Sequence, residues 1–129
     1  MPPASAPLER VMTVSPLDPE ILAELVEDVG EEALPVLLGS FLEEIDRQMA
    51  TIKDGLARND RASVERGAHS LKSTAGTFGA LDLQAHMQAI EFRAKAPPSG
   101  SDALSLEFAD LMETAENLSQ STKQAIASD

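Results

Sequence analysis

Few side chains in this 129-residue sequence can do chemistry beyond carrying a solvated charge. There are two histidines, His69 and His86, and no cysteine. Disulfides and thiolate metal sites are therefore excluded. An imidazole is a competent nucleophile near neutral pH, because much of it is unprotonated. His69 has Lys72 three residues on, Ser73 four on and Gly76 seven on, with Glu65 four residues before it. On a helix these positions form one neighbourhood. Lys72 would there be a mobile cation, able to attract an incoming phosphoryl group and hold it afterwards. Glycine inside a helix costs about 1 kcal/mol relative to alanine, so something should compensate for Gly76. Access for a partner's active site is one reason; close helix packing or the approach of the helix end is another. On spacing alone, an exposed histidine beside a lysine is most often plain surface. His86 lies between Ala85 and Met87 with no lysine at i+3, and reads as surface or rim. Without cysteine, and without carboxylates converging on both histidines, no metal site is expected.

The elements that carry these residues read as helices throughout. Asp18-Pro19-Glu20 is a helix start: a side-chain cap, a proline that fits the first turn and an acid at the positive dipole end. Ile21, Leu22, Leu25, Val26 and Val29 follow at helical spacing, and Gly30 is a stop. A long helix is predicted from about Glu31 to Leu56, with Pro35 tolerated near its start. Its apolar stripe is Leu34, Leu38, Phe41, Leu42, Ile45, Met49, Ile52 and Leu56. Asn59 or Asp60 caps the next helix, from about Arg61 to Thr77. There Val64, Ala68, Leu71, Ala75 and Phe78 make a core-facing seam, and Gly79 ends it. On a wheel of about 100° per residue the seam centres roughly 140° from His69, which therefore faces water. A fourth helix from near Ala80 carries Leu81, Leu83, Met87, Ile90 and Ala94. It stops before a Pro-Pro-Ser-Gly loop at 97–100. Asp102 caps a fifth helix bearing Leu104, Phe108, Leu111, Ala115 and Leu118, and the chain frays after about Gln124.

No segment alternates with period two, so no strand is expected. Connections are short and neighbouring helices should run antiparallel. The fold class is all-α: an up-down four-helix bundle with an additional short N-terminal helix. Residues 1–15, rich in proline, form a flexible or irregular lead-in, in which Val11, Met12 and Val14 could instead pack on the bundle. The bundle occupies residues 16–125. The net charge of −12 argues against nucleic-acid binding, which needs a cationic surface. No apolar run approaches the roughly 20 residues that span a bilayer, and no secretory signal is visible. A cytoplasmic location is the default.

The segment from Ala68 to Ala80, AHSLKSTAGTFGA, resembles the signature of histidine phosphotransfer (HPt) domains. It is especially similar to the version in chemotaxis histidine kinases. The family pattern places a lysine three residues and a glycine ten residues after the phosphorylated histidine; here these are His69, Lys72 and Gly79. The helical pattern resembles the family across about residues 17–120. One departure stands out: Ser73 replaces the glycine usual after the lysine. The small Ser73 narrows the approach of a partner or adds a hydrogen bond to the phosphoryl group. The resemblance also implies a role for Glu91, because chemotaxis-kinase relatives use a carboxylate on the next helix to bind the imidazole Nδ1. Gln88, one turn earlier, is a second candidate.

What the resemblance implies is a monomeric, bacterial phosphorelay carrier. His69 accepts the phosphoryl group, Lys72 supplies electrostatics and Glu91 orients the ring. Glu65, Ser73, Gly76 and Gly79 shape the site. Its partners are response-regulator receiver domains and a histidine kinase, docking around His69 on the second and third helices. The chain has no phosphate-binding glycine loop in a strand-to-helix setting, so it is expected to be no kinase by itself. No cofactor is expected on the chain; Mg²⁺ belongs to the partner. The opening methionine and polar tail suggest a complete small protein. The competing expectation is a non-catalytic helical adaptor that binds a signalling partner.

Overall fold

A computed structural model of the chain describes residues 17–96 and 103–127. Among these residues six helices follow in order: α1 Pro19–Val29, α2 Leu34–Ala57, α3 Arg61–Thr77, α4 Leu81–Lys95, α5 Leu104–Glu107 and α6 Ala109–Ala127. Among the described residues there is no strand, and no helix is long and apolar enough to cross a membrane. Helices α2, α3, α4 and α6 form the bundle, and α1 packs on α2. The expected all-α architecture is the one found. The lead-in at 1–15, the Pro-Pro-Ser-Gly loop and the Asp102 cap lie outside the described residues.

Capping chemistry sets the starts of two helices. Asp18 Oδ1 accepts from the backbone N–H groups of Glu20 (2.8 Å) and Ile21 (3.3 Å) at the head of α1. Asp60, rather than Asn59, caps α3, accepting from Ser63 N at 3.2 Å and from its hydroxyl at 2.8 Å. Asn59 instead takes a positive φ of 54° in the connection. Its Oδ1 accepts from Leu104 N at 3.0 Å, which ties the α2–α3 turn to α5. The long helix begins at Leu34, three residues later than expected, because Glu31–Ala33 form a turn after Gly30.

The predicted seams meet in one core. Phe41, Ile45, Met49, Ile52 and Leu56 of α2 pack on Val64, Ala68, Leu71 and Ala75 of α3 and on Leu83, Met87, Ile90 and Ala94 of α4. Phe41 stacks on Phe78, with ring centroids 4.6 Å apart. Gly67 lets α2 and α3 close together. A Cβ there would lie 2.8 Å from Ile52 Cγ1 and 3.2 Å from the Gln48 carbonyl oxygen.

The C-terminal segment departs from expectation in two ways. It is not one helix: the chain breaks at Phe108, between α5 and α6. Two arginines explain the break. Arg93 Nη1 donates to the Glu107 carbonyl at 2.9 Å, withdrawing that oxygen from a helical ladder. Arg61 grips the Glu107 carboxylate at 3.1 and 2.7 Å, and both guanidinium groups lie over the Phe108 ring. Nor does the helix fray after Gln124. It runs to Ala127 because Ile126 is buried against the apolar start of α2, lined by Leu34, Pro35, Leu38 and Leu42.

Gly67→Ala should destabilise the domain by about 1–3 kcal/mol, the usual cost of overpacking a closed helix contact. Urea unfolding measures this; an unchanged midpoint would mean that the α2–α3 contact is slack.

Candidate functional site

His69 leaves α3 on the side facing α4, turned away from the contact that Gly67 makes with α2. Its side chain is 61% exposed, as the wheel predicts. Lys72 and Gly76 do not share that open face: both are half-buried in the groove between α3 and α4. The reason is geometric. Positions three and seven residues on drift around the helix towards its antiparallel neighbour.

Glu91 closes the arrangement from α4. Its Oε2 lies 2.8 Å from His69 Nδ1 and its Oε1 lies 2.6 Å from Lys72 Nζ. Lys95, one turn further along α4, brings its Nζ to 3.3 Å from the same Oε2 that meets the imidazole. The carboxylate is 7% exposed, so it holds its charge only by virtue of these partners. The Lys72 hydrogen bond pulls the Glu91 pKa down most; His69 and Lys95 add to this, burial opposes it, and the result is about 2. At neutral pH Glu91 is therefore a carboxylate, which only accepts. Nδ1 must then carry the hydrogen, and in the neutral ring the lone pair falls on Nε2, at the exposed edge.

The expected site residues are brought together unevenly. His69, Lys72 and Glu91 form one hydrogen-bonded cluster. Glu65 is half-buried and lines a shallow opening of about 330 Å³ beside the imidazole, together with Arg66, Ser70, Glu91 and Lys95. Its lining comes from α3 and α4, and α2 contributes nothing to it. Ser73 is exposed one turn from His69. Gly76 sits under the Gln84 side-chain amide of α4, whose end a Cβ there would push aside. Gly79 sits at φ +74°, with the Asp18 backbone 3.0–3.1 Å from where its Cβ would be. Asp18 N also donates to the Gly79 carbonyl at 2.8 Å. Gly79 is a turn residue that positions α4. Lys95 was missed by the sequence reading, because only the register of α3 on α4 places it beside His69.

His86 has a structural partner. Its Nε2 lies 2.6 Å from the Leu111 carbonyl of α6, which accepts its N–H. The ring is half-buried, in keeping with a rim position. Among the described residues no group of three or more His, Cys, Asp or Glu side chains could hold a metal ion.

The cluster sets a pH dependence. A carboxyl lowered from 4.5 to about 2 contributes stability that is complete above pH 4.5 and is lost as pH falls towards 2. A depression of that size corresponds to about 3 kcal/mol. Glu91→Gln should therefore be less stable at pH 7 and should lose less on acidification between pH 4.5 and 2. Unfolding curves across that range test it; parallel losses in the two proteins would remove Glu91 from the acid response.

Comparison with known proteins agrees with this geometry. The family model of the Hpt domain matches residues 36–125. The phosphorelay protein LuxU of Vibrio vulnificus is 33% identical over 112 residues, which cover 87% of this chain and 92% of that protein. LuxU of Vibrio harveyi is 33% identical over 85 residues, covering 66% of this chain and 75% of its own. The crystal structure of histidine-containing phosphotransfer protein B from Pseudomonas aeruginosa superposes with a TM-score of 0.76 at 25% identity, covering 87% of this chain and 91% of that one. A helical bundle that presents an imidazole backed by a carboxylate, matched by this family over most of its length, belongs to the Hpt domain family of histidine phosphotransfer proteins that act in phosphorelays.

Proposed function

We propose that His69 is the phosphoacceptor of this phosphotransfer protein, that Glu91 orients its ring, and that Lys72 supplies positive charge from its place on Glu91. The observation that carries this reading is the 2.8 Å contact between His69 Nδ1 and a carboxylate held ionised by a buried lysine contact. It leaves the Nε2 lone pair at the solvent-facing edge of a half-exposed ring.

The reaction follows from that geometry. The Nε2 lone pair attacks the phosphorus of a phosphorylated receiver aspartate or of a nucleotide held by a kinase. The N–P bond forms, the donor's P–O bond breaks, and its electron pair leaves on the donor oxygen. The ring becomes cationic as it bonds to phosphorus, and the Glu91 carboxylate faces that charge through Nδ1–H. Transfer onward is the reverse step, with a receiver aspartate as nucleophile. The receiver brings Mg²⁺ and its own carboxylates; this chain brings the nucleophile and its orientation. It acts as a phosphocarrier without kinase activity, as a monomer in the cytoplasm, between a histidine kinase and response-regulator receivers. Ser73, exposed beside the ring, narrows the path of a partner relative to glycine.

His69→Gln should abolish acid-labile, base-stable phosphorylation by a cognate donor and leave the helical signal intact. Label retained in that variant would overturn the assignment. It also separates this reading from a non-catalytic adaptor, which would tolerate the change in every assay. Lys72→Ala should slow transfer by about tenfold, the scale expected for one charge next to a developing transition state. Stopped-quench transfer to a receiver measures it; a wild-type rate would remove Lys72 from the mechanism.

A further inference from the structure

The shallow opening beside His69 has two cations in its wall, and neither is Lys72. They are Arg66, three residues before His69 on α3, and Lys95, in the last turn of α4. Arg66 is engaged elsewhere, since its Nη2 donates to Ser63 Oγ at 2.9 Å. Among the described residues the Lys95 ammonium is engaged on Glu91, at 3.3 Å, with its side chain 56% exposed.

The two lysines on Glu91 are not equivalent. Lys72 is 26% exposed and sits 2.6 Å from Oε1, an oxygen with no other partner among the described residues. Removing it would strand half of a buried carboxylate, which is costly. Lys95 shares Oε2 with His69 Nδ1 and has the longer contact. If Lys95 leaves, Oε2 keeps the imidazole N–H and Oε1 keeps Lys72. The geometry thus makes one lysine a fixed support and the other a cation that can move at little cost.

Resting on the assignment of His69 as phosphoacceptor, we propose that Lys95 is the phosphoryl-binding residue of this site: it exchanges Glu91 for the phosphoryl oxygens on His69 Nε2, while Lys72 stays on Glu91 and holds the ring in place. A phosphoryl group adds about two negative charges and three strong acceptor oxygens. Those oxygens enter a space already faced by the Lys95 side chain. No bond to phosphorus is made or broken by the lysine; its ammonium changes hydrogen-bond acceptor. Lys95 therefore lowers the energy of the phosphorylated ring and of the transition state leading to it.

Phosphoramidate tests this, because a small donor needs no docking surface. Its P–N bond breaks as the His69 N–P bond forms, and ammonia leaves. The full chain is labelled and phosphohistidine is followed by ³¹P NMR, for the wild type, Lys95→Ala, Lys95→Arg, Lys72→Ala and His69→Gln. Lys95→Ala should label about 3–10-fold more slowly at low ionic strength, with the gap narrowing in high salt, as a charge contribution must. Lys95→Arg should return to within about twofold of wild type, because it restores the cation. The ¹⁵N signature of the Nδ1–H tautomer should persist in Lys95→Ala and weaken in Lys72→Ala. Equal labelling of wild type and Lys95→Ala overturns the proposal, and so does a rate that arginine fails to restore. Loss of the tautomer signature in Lys95→Ala would make Lys95 a positioning residue and also overturns it. Should the wild type take no label on His69, or His69→Gln label as fast, the phosphoacceptor assignment itself fails, a result distinct from label on His69 that ignores Lys95.

Discussion

The site depends on keeping one carboxylate ionised while it is almost out of water. Burial alone would push Glu91 to take up a proton. Three donors on its two oxygens reverse that preference: Lys72 on one, His69 and Lys95 on the other. Lys95 reaches it from within α4, but neither the His69 nor the Lys72 contact survives a slip of α3 against α4 by a single turn, about 5.4 Å. The bundle therefore has to fix that register, and it does so at both ends of the helix pair. At one end the positive-φ turn at Gly79 rests on the Asp18 backbone. At the other, Arg61 at the start of α3 donates to the carbonyls of Ala94 and Arg93 at 3.1 and 3.2 Å. The orphan carbonyls at the end of α4 are thus held by the helix that carries His69.

Most of the fold was legible because it rests on local signals. The caps at Asp18 and Asp60, the stop at Gly30 and the seam from Val64 to Ala75 are all set by residues within a few positions of one another. The break at Phe108 was not legible. Its cause is Arg61 and Arg93, brought to that point from two other helices. The buried Ile126 was hidden for the same reason: its partners lie at the start of α2, some ninety residues earlier.

The site divides along the same line. His69 could be placed on an exposed face from its own helix alone. Lys72 and Gly76 could be placed near it, but not in the groove, because the position of α4 decides what is open and what is covered. Gly76 shows the difference well. Access and packing are both readings of its sequence position, and its one close neighbour across the groove is the movable end of Gln84. Glu91 was reached through resemblance, since no periodicity on α4 pairs it with His69. Lys95 had neither signal: its distance to the imidazole is set entirely by how α4 lies on α3.

A local excess of positive charge is then compatible with a chain of net charge −12. The carboxylates elsewhere are mostly exposed, and beyond about 8 Å their field is screened at physiological salt. Lys72 and Lys95, within hydrogen-bonding range of one buried acid, are screened much less. That pairing also bears on reversibility. A lysine with no resting partner would favour the phosphorylated state and hold the group. A lysine that gives up Glu91 to receive the phosphoryl group exchanges one anionic partner for another, so the net change on loading is small. A carrier must release what it accepts, and a cation already satisfied in the unloaded state is the simplest way to keep the two states close in free energy.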